Sequence, residues 1–276
     1  MINQTHIDFE RFEAELPGLK EKFLAASPFQ FVVFDGLLHA YSLDQLQAAI
    51  AKPFEQNRSN DYLFAKNKFE NPAFADAGGV MAEIKAELLS ERFAACISSI
   101  FGEKLFVDSS FLGGGIHQGG KGSFLDMHAD FSRHPVHHDW VRELNILLYL
   151  NRDYREEFGG HLELLNSQTG ETGRVAPLEN RLVLMYTKGH TLHGYKRINF
   201  PDGAYRTSLA AYAYALDSDY DAVPVRTTLW KPNDASIGKS VVAKFSPVLV
   251  RIKNALFGSA TARRAAASNE VAEEDK

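Results

Sequence analysis

His128-Ala129-Asp130, then Arg142-Glu143-Leu144-Asn145-Ile146-Leu147-Leu148-Tyr149-Leu150-Asn151, the Gly159-Gly160-His161 corner, and finally His193-Gly194 and Tyr205-Arg206-Thr207 form the stretch that decides the fold. Around it, short apolar or β-branched runs follow one another closely. They are Phe124 to His128, Leu144 to Leu150, His161 to Leu165, Arg174 to Ala176, Arg181 to Thr187 and Thr207 to Leu216. Turn-forming residues separate them: Asn151-Arg152-Asp153, Gly159-Gly160, Gly170, Gly173, Pro177 and Pro201-Asp202-Gly203. Many short strands at regular spacing predict a β-sandwich or barrel.

Upstream, Leu105 to Leu112 reads as a further strand, and Gly113 to Gly122 as a flexible turn leading into the next. The glycines of that turn match neither phosphate-binding spacing, because Gln118 stands where a third glycine is needed. Met81 to Phe101 carries apolar residues at helical spacing (Ile84, Leu88, Phe93, Ile97, Ile100) and predicts one helix capped by Gly102. Residues 54–80 are polar with scattered aromatics and read as a loop or lid. Ser42-Leu43-Asp44-Gln45 has the form of a capping box opening a helix that ends before Pro53. Phe29 to Phe34 reads as a strand ending at Asp35-Gly36. Residues 4–26 read as a helix through Phe9, Phe12, Leu16, Leu19 and Phe23, broken in two at Pro17-Gly18.

Downstream, Asp217 to Pro232 reads as loop anchored by Trp230. Ile237 to Phe257 places Val241, Val242, Phe245, Val248, Leu249, Ile252 and Leu256 on one face, with Lys239, Lys244, Arg251 and Lys253 nearby. Such a basic amphipathic stretch usually packs on its own domain, and peripheral membrane contact through 239–257 is the alternative. Residues 259–276 hold no core-forming side chains and read as a disordered tail.

The chain has 276 residues, of which 45% are hydrophobic and 24% charged, enough apolar material for a sizeable core. Its net charge is −5. A nucleic-acid-binding surface is normally basic, so no nucleic-acid partner is expected. Cys96 is the single cysteine, which excludes an intramolecular disulfide. Met1 to Glu15 lacks the apolar core of an export signal, so a reducing, cytoplasmic setting is the expectation. No apolar run reaches the length of a membrane span. Oligomeric state is left open.

His128 and Asp130 are two apart, so strand alternation sends both to one face, where they can share a metal ion. Two histidines and one carboxylate are the ligand set of a non-haem iron(II) site with open positions. The third ligand must come from elsewhere. His134, His137 and His138 follow too closely, around Pro135, and read as surface histidines. His161 begins a strand, while His190 and His193 both follow the Arg181–Thr187 run. Spacing alone leaves His190 and His193 tied.

From Phe124 to Ala215 the chain resembles the iron(II)/2-oxoglutarate dioxygenases of the prolyl 4-hydroxylase-like group, in particular a bacterial branch. The resemblance rests on six blocks in order. They are His128-Ala129-Asp130-Phe131 with His134-Pro135, then Arg142 to Asn151, then Phe158-Gly159-Gly160-His161-Leu162-Glu163-Leu164. After these come Ala176-Pro177-Leu178-Glu179-Asn180-Arg181, His193-Gly194 and Tyr205-Arg206-Thr207-Ser208-Leu209-Ala210. About a third of the chain is covered. The N-terminal third matches loosely and the last sixty residues hardly at all.

The resemblance implies a mainly β fold with flanking helices, a double-stranded β-helix of the jelly-roll, cupin-like kind. Residues 105–216 would form the barrel, 1–104 helices and first strands packed on it, and 217–276 a C-terminal extension. It implies His193 as third ligand, because the family's distal histidine precedes a glycine. Fe(II) would then be held by His128, Asp130 and His193. Arg206, thirteen residues beyond His193, would anchor the far carboxylate of 2-oxoglutarate with support from Tyr149. Asn145 and Thr207 are further co-substrate contacts. His117 stands roughly where the family often has a tyrosine. The implied reaction consumes O2 and 2-oxoglutarate, releases succinate and CO2, and hydroxylates an unactivated C–H bond, with ascorbate as supporting reductant. Because Asp130 retains the carboxylate that halogenases of the superfamily lack, hydroxylation rather than halogenation is expected. The substrate expected is a small molecule, peptide or glycan, with peptidyl proline, an amino acid and a sugar all compatible. The competing expectation is a binding or sensing protein of the same shape with little turnover.

Overall fold

The computed structural model describes residues 5–50, 64–217 and 226–231. The second helix ends at Ala49, before Pro53 as expected; the first ten residues of the expected 54–80 loop, and the amphipathic stretch and tail at 237–276, lie outside the described residues.

The centre is a curled antiparallel sheet flanked by helices on one side. Its strands are β1 (Phe31–Asp35), β2 (Ala65–Asn71), β3 (Phe106–Val107), β4 (Gly115–Ala129), β5 (Trp140–Tyr149) and β6 (Leu162–Asn166). They continue with β7 (Thr172–Val175), β8 (Arg181–Tyr186), β9 (Thr191–Tyr195), β10 (Arg206–Leu216) and β11 (Leu229–Lys231). The order is β1-β8-β5-β10-β4-β9-β6-β7, with β2 and β11 also on β4 and β3 on β10. Strand β4 produces the curl. Its first half, Gly115 to Gly119, pairs with β10, whereas Leu125 and His128 near its end pair with β9. One long strand therefore belongs to both walls and bends between them, as expected of a double-stranded β-helix.

The helices are α1 (Phe9–Ala25), α2 (Ala40–Ala49), α3 (Gly79–Leu88) and α4 (Glu91–Phe101). Alternation along β1 points Val32 and Phe34 toward them, and Phe12 of α1 meets Phe34 at 4.9 Å between ring centres. Leu144, Ile146 and Leu148 of β5 and Leu182 and Leu184 of β8 join the same core. Burying each such side chain is worth about 1.5–3 kcal/mol. The opposite face of the large wall is left for the site.

Several elements depart from their sequence reading. Helix α1 runs unbroken through Pro17, because Pro17 and Gly18 lie on its exposed side while Phe12, Leu19 and Phe23 hold the buried side. Ser42 does not cap α2. It is buried inside the helix, 3.0 Å from His6 Nδ1. The predicted helix Met81–Phe101 is two, because the Ser90 hydroxyl accepts a hydrogen bond from Phe93 N–H and starts α4 afresh. Gly102 does cap α4 in the left-handed region. Residues 64–80 are no lid: they contain β2 and the start of α3. Leu105 to Leu112 shrinks to β3. The glycine-rich stretch, expected as a turn, is the first half of β4. At Gly115, with φ +101°, a Cβ would fall 2.2 Å from the Asn71 carbonyl, so β2 can lie against β4 only where no side chain intervenes.

Candidate metal centre and its cavity

His128 and His193 are directly opposite each other in the β4–β9 ladder, with ring centres 4.2 Å apart. That approach depends on Gly194, where a Cβ would meet the Leu125 carbonyl at 2.6 Å and force β9 away. Asp130, one residue beyond β4, returns to the His128 face. Its Oδ1 is 3.5 Å from His128 Nε2 and its Oδ2 3.5 Å from His193 Nε2. These ligand atoms all lie within 4.8 Å of one another, and the three residues form the 2-His-1-carboxylate triad.

The protonation pattern suits a cation. His128 Nδ1 lies 3.0 Å from the Asp126 carbonyl, which can orient the ring by accepting a hydrogen bond, and its Nε2 faces Asp130. Burial, with the neighbouring His128, lowers the His193 pKa to about 3, so its imidazole is neutral. Burial works against ionised Asp130, but the Arg142 guanidinium beside it outweighs that and holds the carboxyl well below its usual range. Two imidazoles and one carboxylate form the donor set for a divalent ion, and atoms about 2.1 Å from one ion lie roughly 3–3.5 Å apart.

Behind Asp130 stands a network. Asn145 Nδ2–H donates to Asp130 Oδ2 at 2.9 Å, and Arg142 Nη2 lies 3.1 Å from the same oxygen. Arg142 Nε and Nη2 also donate to Asn145 Oδ1, at 3.0 and 2.7 Å. The Arg142 guanidinium rests 3.4 Å from the Tyr212 ring centre. On the far side, Trp230 of β11 sits opposite His128 and stacks on it at 4.8 Å, with Phe64 stacked on Trp230 in turn.

One cavity of about 220 Å³ opens from this centre. At its other end Arg206 is 7% exposed. Its Nε–H donates to the Gly160 carbonyl at 2.6 Å and its Nη2 to the Tyr149 hydroxyl at 3.2 Å. Tyr195 faces the same guanidinium at 4.4 Å. Burial pushes the Tyr149 hydroxyl pKa up although Arg206 opposes it, so the phenol keeps its proton. None of the described carboxylates pairs with Arg206.

The structure thus brings His128, Asp130 and His193 together and sets Arg206 and Tyr149 at the other end of the cavity they border. His190 lies in the turn before β9, outside the triad, and His161 bonds Glu156 at 3.1 Å instead. His137 and His138 are exposed as expected, but His134 is not: it is 2% exposed and accepts the His137 backbone N–H at 2.9 Å. Asn145 serves Asp130. Thr207, the third expected co-substrate contact, alternates with Arg206 along β10 and so faces the other way. Its backbone N–H bonds Asn151, and Ser208 borders the cavity in its place. Arg142 belongs to one of the six blocks, but the sequence reading gives it no role.

Residues 114–214 match the family model of the 2OG-Fe(II) oxygenase superfamily. Among solved structures, a Pseudomonas putida prolyl-4-hydroxylase is 16% identical, with 74% of this chain and 99% of that chain covered and a TM-score of 0.51, a likeness of fold. Prolyl 4-hydroxylases from Phytophthora capsici are 18% identical over 78% of this chain and 68% of that chain, with a TM-score of 0.49. A Trichoplax adhaerens prolyl hydroxylase in complex with a hypoxia inducible factor peptide fragment is 17% identical over 77% and 94%, also at 0.49. No curated protein matches the sequence.

Proposed function

We propose that this chain, which belongs through residues 114–214 to the 2OG-Fe(II) oxygenase superfamily, is a hydroxylase that uses Fe(II), 2-oxoglutarate and O2. The observation that carries the reading is Arg206: a buried guanidinium with no described carboxylate partner, bordering the cavity that the triad also borders. A buried cation is costly unless it is paired. A ligand with one carboxylate for Arg206 and a second chelating end for a triad-bound metal answers both needs.

His128, Asp130 and His193 would hold the ion. Iron there supplies the activation of oxygen that couples 2-oxoglutarate decarboxylation to C–H hydroxylation, with succinate and CO2 as co-products. The chain's own part is placement. Arg206 offers parallel donors to the far carboxylate, and the protonated Tyr149 hydroxyl can donate beside it. Arg142 and Asn145 keep Asp130 ionised and aimed. Trp230 and Phe64 cover the His128 side.

The test is succinate formation from 2-oxoglutarate with Fe(II) and ascorbate across a substrate panel. Wild type should form it, His193→Ala should lose metal and activity, and His190→Ala should keep both. Arg206→Ala should weaken 2-oxoglutarate binding by about 10–100-fold, the worth of a charged hydrogen-bond pair, while metal still binds. A wild type that holds metal yet makes no succinate with any substrate would leave a binding or sensing protein instead.

A further inference from the structure

Strand β11 runs antiparallel to the end of β4, with Trp230 opposite His128 and Leu229 opposite Ala129. The pairing continues past both strands in the same register. Ser132 N–H donates to the Arg226 carbonyl at 3.0 Å, and Arg226 N–H to the Ser132 hydroxyl at 2.8 Å. Leu229 packs with Met127, Ala129 and Leu192 on the face away from the metal centre. Alternation then gives Trp230, Thr228 and Arg226 to the triad face, and Trp230 and Thr228 do border the cavity. Arg226 is the next residue of that row. Its guanidinium lies over the turn before β9, where a Cβ at Gly189 would come 3.5 Å from Nη1. Two arginines therefore flank the triad along β4. Arg206 is opposite Gly119, and Arg226 is aligned with Ser132, with His128 and Asp130 between.

Nothing in the fold accounts for the Arg226 charge. The residue is partly buried, and Nη1 is fully buried with no hydrogen bond. Burial lowers its pKa, Asp130 opposes that, and Arg142 adds to it. The guanidinium nonetheless stays charged, as arginine does in proteins. Asp130 acts on it without pairing with it, being already bonded by Arg142 and Asn145 and turned to the two histidines. At the neighbouring turn, burial, then Arg226 and Lys188, lower the His190 pKa, so no counter-charge stands there. A cation withdrawn from water is costly without a partner. The backbone of Arg226, not its side chain, makes the contacts that tie β11 to Ser132.

We propose that Arg226 binds the substrate to be oxidised, and that this substrate carries an anionic oxygen group, a carboxylate or a phosphate. The inference rests on the hydroxylase reading above, in which 2-oxoglutarate occupies Arg206 and leaves Arg226 for the second molecule. A planar guanidinium fork suits either anion. Register sets the scale: Arg226 is aligned two residues past Asp130, about 7 Å along the strand, so the oxidised carbon lies a few bonds from the anionic group. Uncharged peptides and neutral glycans offer Arg226 nothing.

The experiment offers the Fe(II)- and 2-oxoglutarate-loaded protein matched pairs: N-acetyl amino acids with their amides, sugar phosphates with the parent sugars, and an uncharged proline-rich peptide. Succinate above the substrate-free level and a product heavier by one oxygen are the readouts. The acid of one pair should outdo its neutral counterpart about tenfold or more, the worth of a charged hydrogen bond, and the pair that responds separates carboxylate from phosphate. Arg226→Met should raise KM for that acid by a similar factor and leave the neutral compound unchanged, and Arg226→Lys should recover part of the loss. Both variants should bind Mn(II) and 2-oxoglutarate as wild type does, which also shows that they fold. Inorganic sulfate, titrated by calorimetry into the Mn(II) protein saturated with 2-oxoglutarate, should bind about tenfold more weakly to Arg226→Met. This arm decides the matter if no compound of the panel is turned over. The inference is overturned if neutral compounds or the peptide serve equally, if Arg226→Met keeps the wild-type KM, or if sulfate binding ignores the substitution. It is overturned too if Arg226→Met weakens 2-oxoglutarate as much as Arg206→Ala, which would make Arg226 part of the co-substrate anchor. Any of these with succinate still formed sinks this inference alone. Absence of both 2-oxoglutarate binding and succinate removes the hydroxylase reading and this inference with it.

Discussion

Two ion pairs border one cavity and are built in opposite ways. Arg142 and Asp130 are 1% and 15% exposed, and their partners come from separate strands. Arg142 and Asn145 on β5 reach Asp130 beyond β4, and Asp130 in turn meets His193 on β9. Lys68 and Glu70, at 16% and 34%, sit two apart on one edge strand and pair with each other at 2.6 Å. The first pair is a brace that fixes where a ligand atom points. The second lies within one strand and borders the cavity without touching a triad residue in any described hydrogen bond or ion pair. Burial of a charge alone does not distinguish these roles; what the pair connects does.

The largest effect should follow from cutting the brace. Arg142→Met leaves Asp130 buried without its cation, and breaking such a pair typically costs about 3–5 kcal/mol. Metal affinity should also fall about 10–100-fold, as it does when support behind a ligand is lost. Urea denaturation and metal titration read the two quantities. Lys68→Met should cost under about 1 kcal/mol in the same denaturation, as expected of a partly exposed pair within one strand. If the two substitutions destabilise equally, Lys68–Glu70 is also structural and the contrast disappears.

How much of this was legible beforehand follows the same line between regular strand and irregularity. His128 and Asp130 could be placed on one face because strand alternation at the end of β4 carries one residue beyond it to Asp130, and Leu144 to Tyr149 announced a central strand by composition. Arg142 could not be found by alternation. It and Asn145 are three apart, a spacing that puts residues on opposite faces of a regular strand. The register of β5 against β10 shifts here, with Ala213 opposite Leu144 but Tyr214 opposite Arg142. Glu143 is the extra residue of a bulge, which turns Arg142 back toward Asn145. Lys68 and Glu70 were hidden differently. Lys-Asn-Lys-Phe-Glu-Asn has the composition of a loop, and only its pairing with the glycine-rich half of β4 makes it a strand. Those glycines signalled flexibility in sequence, yet serve close backbone approach. The choice of His193 over His190 needed the resemblance, because β9 is too short and too close to its turn to be read from periodicity.

The smallest expected effect concerns His117, which adjoins the second pair without being charged itself. Burial, and then repulsion from Lys68, lowers its pKa from 6.5 to about 4. Between those values the unfolded chain takes up a proton that the folded chain refuses. Its contribution to stability is therefore complete above pH 6.5 and is lost progressively as pH falls toward 4, by at most about 1.4 kcal/mol per pH unit. His117→Gln removes that proton from the balance. Unfolding free energies measured at pH 7.5 and pH 5 should fall by on the order of 1–2 kcal/mol more in wild type than in the variant. His193 and Asp130 titrate in both proteins and cancel in the difference. Equal acid sensitivity would mean that His117 meets water or an anionic partner in the folded state. The edge holding Lys68 and Glu70 would then be wetter than the brace beneath it.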